Sequence, residues 1–504
     1  MSRIVLLIVI AIFLCFRLPP VLCQAGGPDE EWYAIPGLTI AREGVPRVPY
    51  SRATESDSVF LGAERLLFAM PPLSFYAQAP FFLIMPPTYA TARLASLAAA
   101  CLAILLVHAI ARSLWDDQAT ALWAAGIYSM CRLLYFPAML ARPDMLCGTL
   151  GLAAVWAMCH WSRRERQRRW LALAGVFLGL AGLSHPFAIV FALQLGIWAA
   201  LAPGAVPARL LRPVGLAATA LATFSVWLIL IVRSPELFRL QFIGNILEPA
   251  GPGLVSRLLF PWQDLVGHLP LVIERAGISQ AAFLATCLAV VTGLAWRRHD
   301  RTLGLVSALG WSAVYLLIAL QGSHPLQGYW CYPVAFFAMA AGWCAVRCFA
   351  KCRERVGVAT ARVLASCLLL LVFLPGSGLR TTWACVRNWN RIEYNPHQFT
   401  RSILADLPAE AQLTVGAEYA LDAYGLNRRV LLGIRYYNYF DATKYHYDYA
   451  IMGRAGMKEG LDRAMNARIV RTYGNPNDPF SCYAVLLAPD RRTGESIPRQ
   501  HDRP

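Results

Sequence analysis

The sequence predicts a polytopic α-helical membrane protein of about eleven transmembrane helices, with a small C-terminal α/β domain outside the membrane. Three observations carry that reading. Hydrophobic residues make up 57% of the 504 residues and charged ones only 15%, with a mean hydropathy of +0.46, which exceeds what a soluble chain shows. Apolar stretches close to the roughly 20 residues needed to cross a bilayer recur near 4–22, 89–111, 119–139, 145–161, 170–184, 187–202, 214–232, 278–296, 302–320, 330–349 and 360–378. After residue 379 the charge density rises and the apolar runs shorten to strand length.

The formal net charge of +16 would point to nucleic acid in a soluble protein. Here its placement matters more. Arg163-Arg164-Glu165-Arg166-Gln167-Arg168-Arg169, Arg209 with Arg212, Trp296 to Arg301 and Lys351-Cys352-Arg353-Glu354-Arg355 all fall at even-numbered turns of the chain. Taken as cytoplasmic, they put the N-terminus inside, and the 24–88 loop and everything after 379 outside. Such loops suit anionic headgroups better than nucleic acid. Met1-Ser2-Arg3 and its apolar run would also fit a cleaved signal peptide, although Leu22 before Cys23 argues against a lipoprotein site; the segment is read as an anchor. The 14 cysteines lie mostly in apolar segments and form no disulfide framework. Cys344, Cys348 and Cys352 share a helix face but lack a nearby fourth ligand for a metal, and whether Cys385 pairs with Cys482 stays open.

The first outer loop, 24–88, places Asp29-Glu30-Glu31 just beyond the first apolar segment, and Trp32 to Glu43 has the spacing of an amphipathic helix lying in the interface. Asp29 could cap that helix or act chemically. Ala141-Arg142-Pro143-Asp144-Met145 joins two apolar segments with almost no linker and puts Asp144 at the same face. Pro143 suits a helix's first turn, where Asp144 would also offset the dipole. Yet ionisable residues at the edge of an apolar bundle are costly unless paired or functional. Two such clusters on one side therefore predict a shared cavity. The outer loop 233–277 is long enough to cover a substrate groove, and the breaks at Ser184-His185-Pro186 and Ser323-His324-Pro325 each bring a histidine to that face.

In the tail, 412–416, 429–433, 447–453, 468–473 and 483–488 read as strands, and 397–405, 418–424 and 456–466 as helices. Tyr436, Tyr437, Tyr439, Phe440, Tyr445, Tyr447 and Tyr449 form an aromatic-rich stretch suited to core packing and interface anchoring, or to stacking on sugars.

Pro28-Asp29-Glu30-Glu31-Trp32-Tyr33-Ala34, then Met70-Pro71-Pro72-Leu73-Ser74-Phe75-Tyr76, then Arg93-Leu94, then Ala141-Arg142-Pro143-Asp144 come in an order that resembles the membrane glycosyltransferases related to protein O-mannosyltransferases and lipid A aminoarabinose transferases. The likeness covers roughly residues 1–340. It implies a GT-C fold, many transmembrane helices with a large first exterior loop, and the composition and charge topology set its bounds at a 1–378 transmembrane domain and a 379–504 exterior domain. It also implies transfer of a sugar, with inversion, from a polyprenyl-phosphate carrier to a lipid, glycan or protein acceptor at the outer face of a bacterial inner membrane. Carried onto matching positions, Asp29 becomes the base and Asp144 the second catalytic carboxylate, while Glu30, Arg142, His185, His324 and Tyr329 become substrate contacts. No organic cofactor is implied, and a divalent cation is left open. The chain departs from the pattern at Ala69-Met70, where relatives often carry His or a Glu-Lys pair, and at His185, where they often carry Lys. A transporter or flippase for a lipid-linked or polar substrate is the alternative, since broken helices and charges also serve transport. A catalytically silent scaffold is a third reading.

Overall fold

The computed structural model describes the chain except residues 1, 28, 52–59, 164–166, 248–252, 323–327, 433–445 and 491–504, and the side chains of 2 and 245–247. Expectations placed on Pro28, Glu165, His324 and on Tyr436, Tyr437, Tyr439, Phe440 and Tyr445 lie outside the described residues. The chain is a multi-pass helical membrane protein. Among the described residues, seven helices are long and apolar enough to cross a bilayer: Arg3–Cys23, Tyr89–Trp115, Asp144–Arg163, Val206–Ile231, Ile278–Arg298, Arg301–Gln321 and Gly328–Val356. The other four expected crossings are helical but short or broken. Arg168–Ser184, Ile189–Leu201 and Val358–Phe373 run 17, 13 and 16 residues. The segment expected at 119–139 splits into Gln118–Met130 and Arg132–Met139, because Cys131 turns out of the helix at ψ 129.

The helices that start at the acidic residues end in the basic turns. Asp144–Arg163 carries 20 residues from Asp144 to the Arg163 turn, about 30 Å at the helical rise of about 1.5 Å per residue. Helix Arg168–Ser184 returns to His185, and Cys331–Val356 descends from Tyr329 to Arg353 and Arg355. Carboxylates and arginine-rich turns are thus separated by a bilayer's thickness.

Above the bundle, helix Ile35–Glu43 lies on helix Leu73–Ile84. It was expected in the lipid interface, yet every residue from Ile35 to Ile40 is buried. The reason is a roof: Ile35, Leu38 and Phe75 share one apolar core with Phe399, Leu413, Tyr419 and Leu421 of the C-terminal region. That region holds strands β1 (Leu413–Val415), β2 (Val430–Leu432), β3 (Tyr449–Met452), β4 (Ala467–Gly474) and β5 (Tyr483–Pro489). Their order is β2-β1-β3-β5-β4, with β1 parallel to β2 and β3, and β5 antiparallel to β3 and β4. All five fall where alternation and turn residues placed them. Edge strand β4 is exposed, with a register shift between Ile469 and Arg471 and arginines along it, features that discourage edge-to-edge pairing.

Backbone hydrogen bonds tie this roof to the first outer loop: Leu432 N–H to the Tyr50 carbonyl at 3.0 Å and Gly26 N–H to that of Glu418 at 2.9 Å. The first helix is held by Arg17, buried, which donates to the Ser377 carbonyl at 2.6 Å and lies over the Tyr135 ring. Gln241 clips the two outer loops together. Its Oε1 accepts from Phe68 N–H at 2.5 Å, and its Nε2 donates to the carbonyls of Leu61 at 3.0 Å and Leu66 at 3.1 Å.

The expected pairing of Cys385 meets a third thiol. Cys23 and Cys385 are buried together against Tyr394, Cys23 as the hydrogen-bonding neighbour of Cys385, with Cys482 close by; all three are free.

Candidate active site

The acidic loop splits into residues with opposite fates. Glu30 is fully buried and every contact it makes is internal. Its Oε1 accepts from Arg93 Nε at 2.8 Å and from the Ala141 N–H at 2.7 Å; its Oε2 accepts from Gly27 N–H at 2.6 Å and from Arg93 Nη2. Arg93, itself 1% exposed, also donates to the carbonyls of Val21 and Gln24 through Nη1 and of Ala25 through Nη2. A guanidinium offers five N–H donors in a fixed fork. All five are used here to fasten the acidic loop to the end of the first helix, and Glu30 itself holds the Ala141 turn.

Asp29, one residue earlier, is left open. Its side chain is 53% exposed. The residue sits at φ 65 in the left-handed region and makes no side-chain cap to helix Glu30–Tyr33, so the capping reading of Asp29 finds no support. Its Oδ2 instead accepts from Arg142 Nη1, while Arg142 Nε donates to Asp144 Oδ2 at 2.8 Å. Arg142 therefore joins the two carboxylates predicted to share a cavity. It is 7% exposed, seated against the rings of Tyr33 and Phe136, and its backbone carbonyl accepts from Ser96. Asp144 is fully buried in the first turn of its helix, with Oδ1 unbonded to any described residue. Gly328 packs directly on it: a Cβ there would collide with the Asp144 carboxylate, so a larger residue would have to displace that side chain.

His185 and Tyr329 form the adjacent wall. The Phe187 N–H donates to His185 Nδ1 at 3.1 Å, which leaves the proton on Nε2, 3.0 Å from the Tyr329 hydroxyl. Burial lowers the His185 pKa to about 4, with Asp144 opposing and Arg142 assisting. The ring is neutral at physiological pH and faces the cluster through the Tyr329 hydroxyl rather than as a cation.

Two participants stood in the sequence motifs without a role assigned to them. Arg93 carried a further signal, a cation inside an apolar segment. Glu31 is 4% exposed, its Oε2 has no hydrogen-bond partner among the described residues, and burial followed by Asp29 pushes its pKa well up. Among the described residues no group of three or more His, Cys, Asp or Glu is placed to hold a metal ion. Between Asp29 and Asp144 stands a guanidinium, which does not fit a cation shared by those carboxylates. Cys344 lies under the Cys287 carbonyl while Cys348 is exposed, so the thiols on that face do not converge.

Two cavities flank the cluster. One of about 860 Å³ is lined by Arg132, Arg275 and Arg380 together with Phe136, the ring under Arg142. Leu133 also lines an almost wholly apolar slot of about 310 Å³ among the helices Trp262–Ala276, Ile278–Arg298 and Cys331–Val356.

Residues 69–230 match the dolichyl-phosphate-mannose-protein mannosyltransferase family. No curated protein sequence matches the chain. Among solved structures it is similar to ArnT from Cupriavidus metallidurans in the apo state, at 16% identity and a TM-score of 0.61 over 95% of this chain and 97% of that one. The same protein bound to undecaprenyl phosphate matches at 17% identity and 0.61 over 96% and 97%. The archaeal oligosaccharyltransferase AglB from Archaeoglobus fulgidus, in complex with an inhibitory peptide and a dolichol-phosphate, matches at 14% identity and 0.55 over 92% and 70%. The GT-C fold that the motif order implied is the fold of this chain.

Proposed function

We propose that the chain is an inverting glycosyltransferase. It moves a sugar from a polyprenyl-phosphate carrier to a lipid, glycan or protein acceptor at the outer face of a bacterial inner membrane. The observation that carries this reading is the half-open Asp29 held on Arg142 against buried Asp144. Asp29 takes the proton of the attacking acceptor hydroxyl as the new C–O bond forms at the anomeric carbon. The bond from that carbon to the phosphate oxygen breaks, and polyprenyl phosphate leaves with the electron pair. A single displacement inverts the anomeric centre. Arg142 and the Tyr329 hydroxyl supply the charge and hydrogen bonding that a departing phosphate requires. Asp144 holds Arg142 in line, and Glu30 with Arg93 sets the position of both.

The flanking cavities suit the donor. Three arginines offer charge to a lipid phosphate, and the apolar slot that shares Leu133 with their cavity suits isoprenoid units. Undecaprenyl phosphate and dolichol-phosphate are the lipids named in the two similar structures. The helices running from the acidic cluster to the basic turns opposite it support an outward-facing active centre.

Purified protein incubated with radiolabelled polyprenyl-phosphate sugars and a panel of envelope lipids, glycans and peptides tests the reading. Label should move to an acceptor in the wild type and fail to move with Asp29→Asn. Equal transfer by that variant removes Asp29 as the base. Movement of intact carrier lipid across vesicles without sugar transfer would establish the transporter reading instead.

A further inference from the structure

Across Tyr89 from the acidic cluster, at the junction of the sheet domain and helix Tyr89–Trp115, lies a separate cavity of about 310 Å³. Its floor is Asp422. This residue is fully buried; its Oδ1 is paired with His397 Nδ1 at 3.4 Å, while its Oδ2 accepts no hydrogen bond from any described residue. His397 Nε2 in turn lies 3.5 Å from Arg401 Nη2. Buried polar groups in folded proteins are almost always satisfied, and an unsatisfied buried carboxylate oxygen lining a cavity points to a ligand that completes it. The rim is formed by Trp389, 52% exposed, and by the exposed side chains of Gln398 and Arg401.

Charge narrows what the cavity accepts. A buried carboxylate at the floor repels an anion, and Arg401 on the rim opposes a cation. A neutral, hydroxyl-rich ligand satisfies both signs, since each hydroxyl donates to a carboxylate and accepts from a guanidinium or imidazole. A half-exposed indole adds the flat apolar face that a sugar ring covers.

We infer that this junction cavity is a saccharide site, with Asp422 and His397 binding ring hydroxyls and Trp389 stacking on the sugar. Asp422 lies close enough to Arg93 and Glu30 to feel their charges. The bound sugar is therefore a neighbour of the reaction centre, and it belongs to the acceptor, a step that rests on the proposed transfer. The binding itself does not.

Saturation-transfer NMR on the detergent-purified full chain with mannotriose, chitotriose and maltotriose separates the two. At least one trisaccharide should receive saturation on its ring protons, with affinity reduced about tenfold or more in Trp389→Ala and Asp422→Asn. Asp29→Asn should bind it as the wild type does. No saturation of any of the three, or equal binding by Trp389→Ala, overturns the site; the exposed position of Trp389 makes that variant decisive even if Asp422→Asn fails to fold. Saccharide binding lost in Trp389→Ala while the wild type transfers no labelled sugar keeps the site and rejects the transfer reading.

Discussion

Asp29 and Glu30 are consecutive carboxylates on one loop, each paired with an arginine from a distant part of the chain, yet the pairs do different work. Glu30 and Arg93 are 0% and 1% exposed, and every donor of the guanidinium is used inside the protein. Asp29 and Arg142 are 53% and 7% exposed, and the carboxylate looks outward. A sealed pair contributes geometry, because breaking it strands a charge. An open pair has a lone pair left to offer a substrate. Sequence adjacency thus places structural and chemical carboxylates side by side, with opposite requirements for water.

The contrast is sharpest in rate. Asp29→Asn should lower sugar transfer by about 10²–10⁴-fold, the usual contribution of a general base, while its melting temperature in detergent stays close to wild type. Glu30→Gln should do the reverse in order of cause. Removing one partner of a buried ion pair costs about 3–5 kcal/mol, so folded yield and melting temperature fall first and activity falls with them. A Glu30→Gln protein that melts like wild type but transfers no sugar would erase the distinction.

Glu31 sharpens it more gently. Its folded pKa is raised by burial above the ordinary glutamate value, so its contribution to stability is full below about 4.5 and is lost as pH rises through the folded value. Glu31→Gln carries no such loss. Its melting temperature relative to wild type should therefore climb between pH 4.5 and pH 8; a flat difference across that range would mean Glu31 is ionised in the native state. The smallest effect concerns the anchoring end of the same region. In an oxidising exterior Cys385 should crosslink to Cys23 in preference to Cys482, detected as a disulfide-linked peptide pair by mass spectrometry of unreduced protein, and Cys482→Ser should leave that crosslink intact.

Why Asp29 and Asp144 were legible follows from where they stand, as charges at the mouth of apolar segments where a carboxylate is expensive. The division of labour between Asp29 and Glu30 was not, because it depends on Arg93, 63 positions away from Glu30, and on the Ala141 N–H. His185 read as a substrate contact; the Phe187 N–H fixes its ring with Nε2 toward Tyr329 and burial holds it neutral, neither of which a spacing rule reports. The five strands were found because alternation and turn residues are local signals. The burial of helix Ile35–Glu43 was missed because its cover comes from Phe399 and Leu413, nearly the whole chain away. Hydropathy registers Gln118–Met139 as one apolar run, whereas the structure breaks it at Cys131, where no glycine or proline stands to signal the bend.

Gln241 turns two loops into one mechanical part. A single amide side chain satisfies one donor and two acceptors of the 61–68 backbone, so neither loop shifts without dragging the other or abandoning three hydrogen bonds at once. Any displacement of the helix that carries Gln241 is thus transmitted to Phe68 and the Pro71-Pro72 corner behind it, so the two loops move as one body.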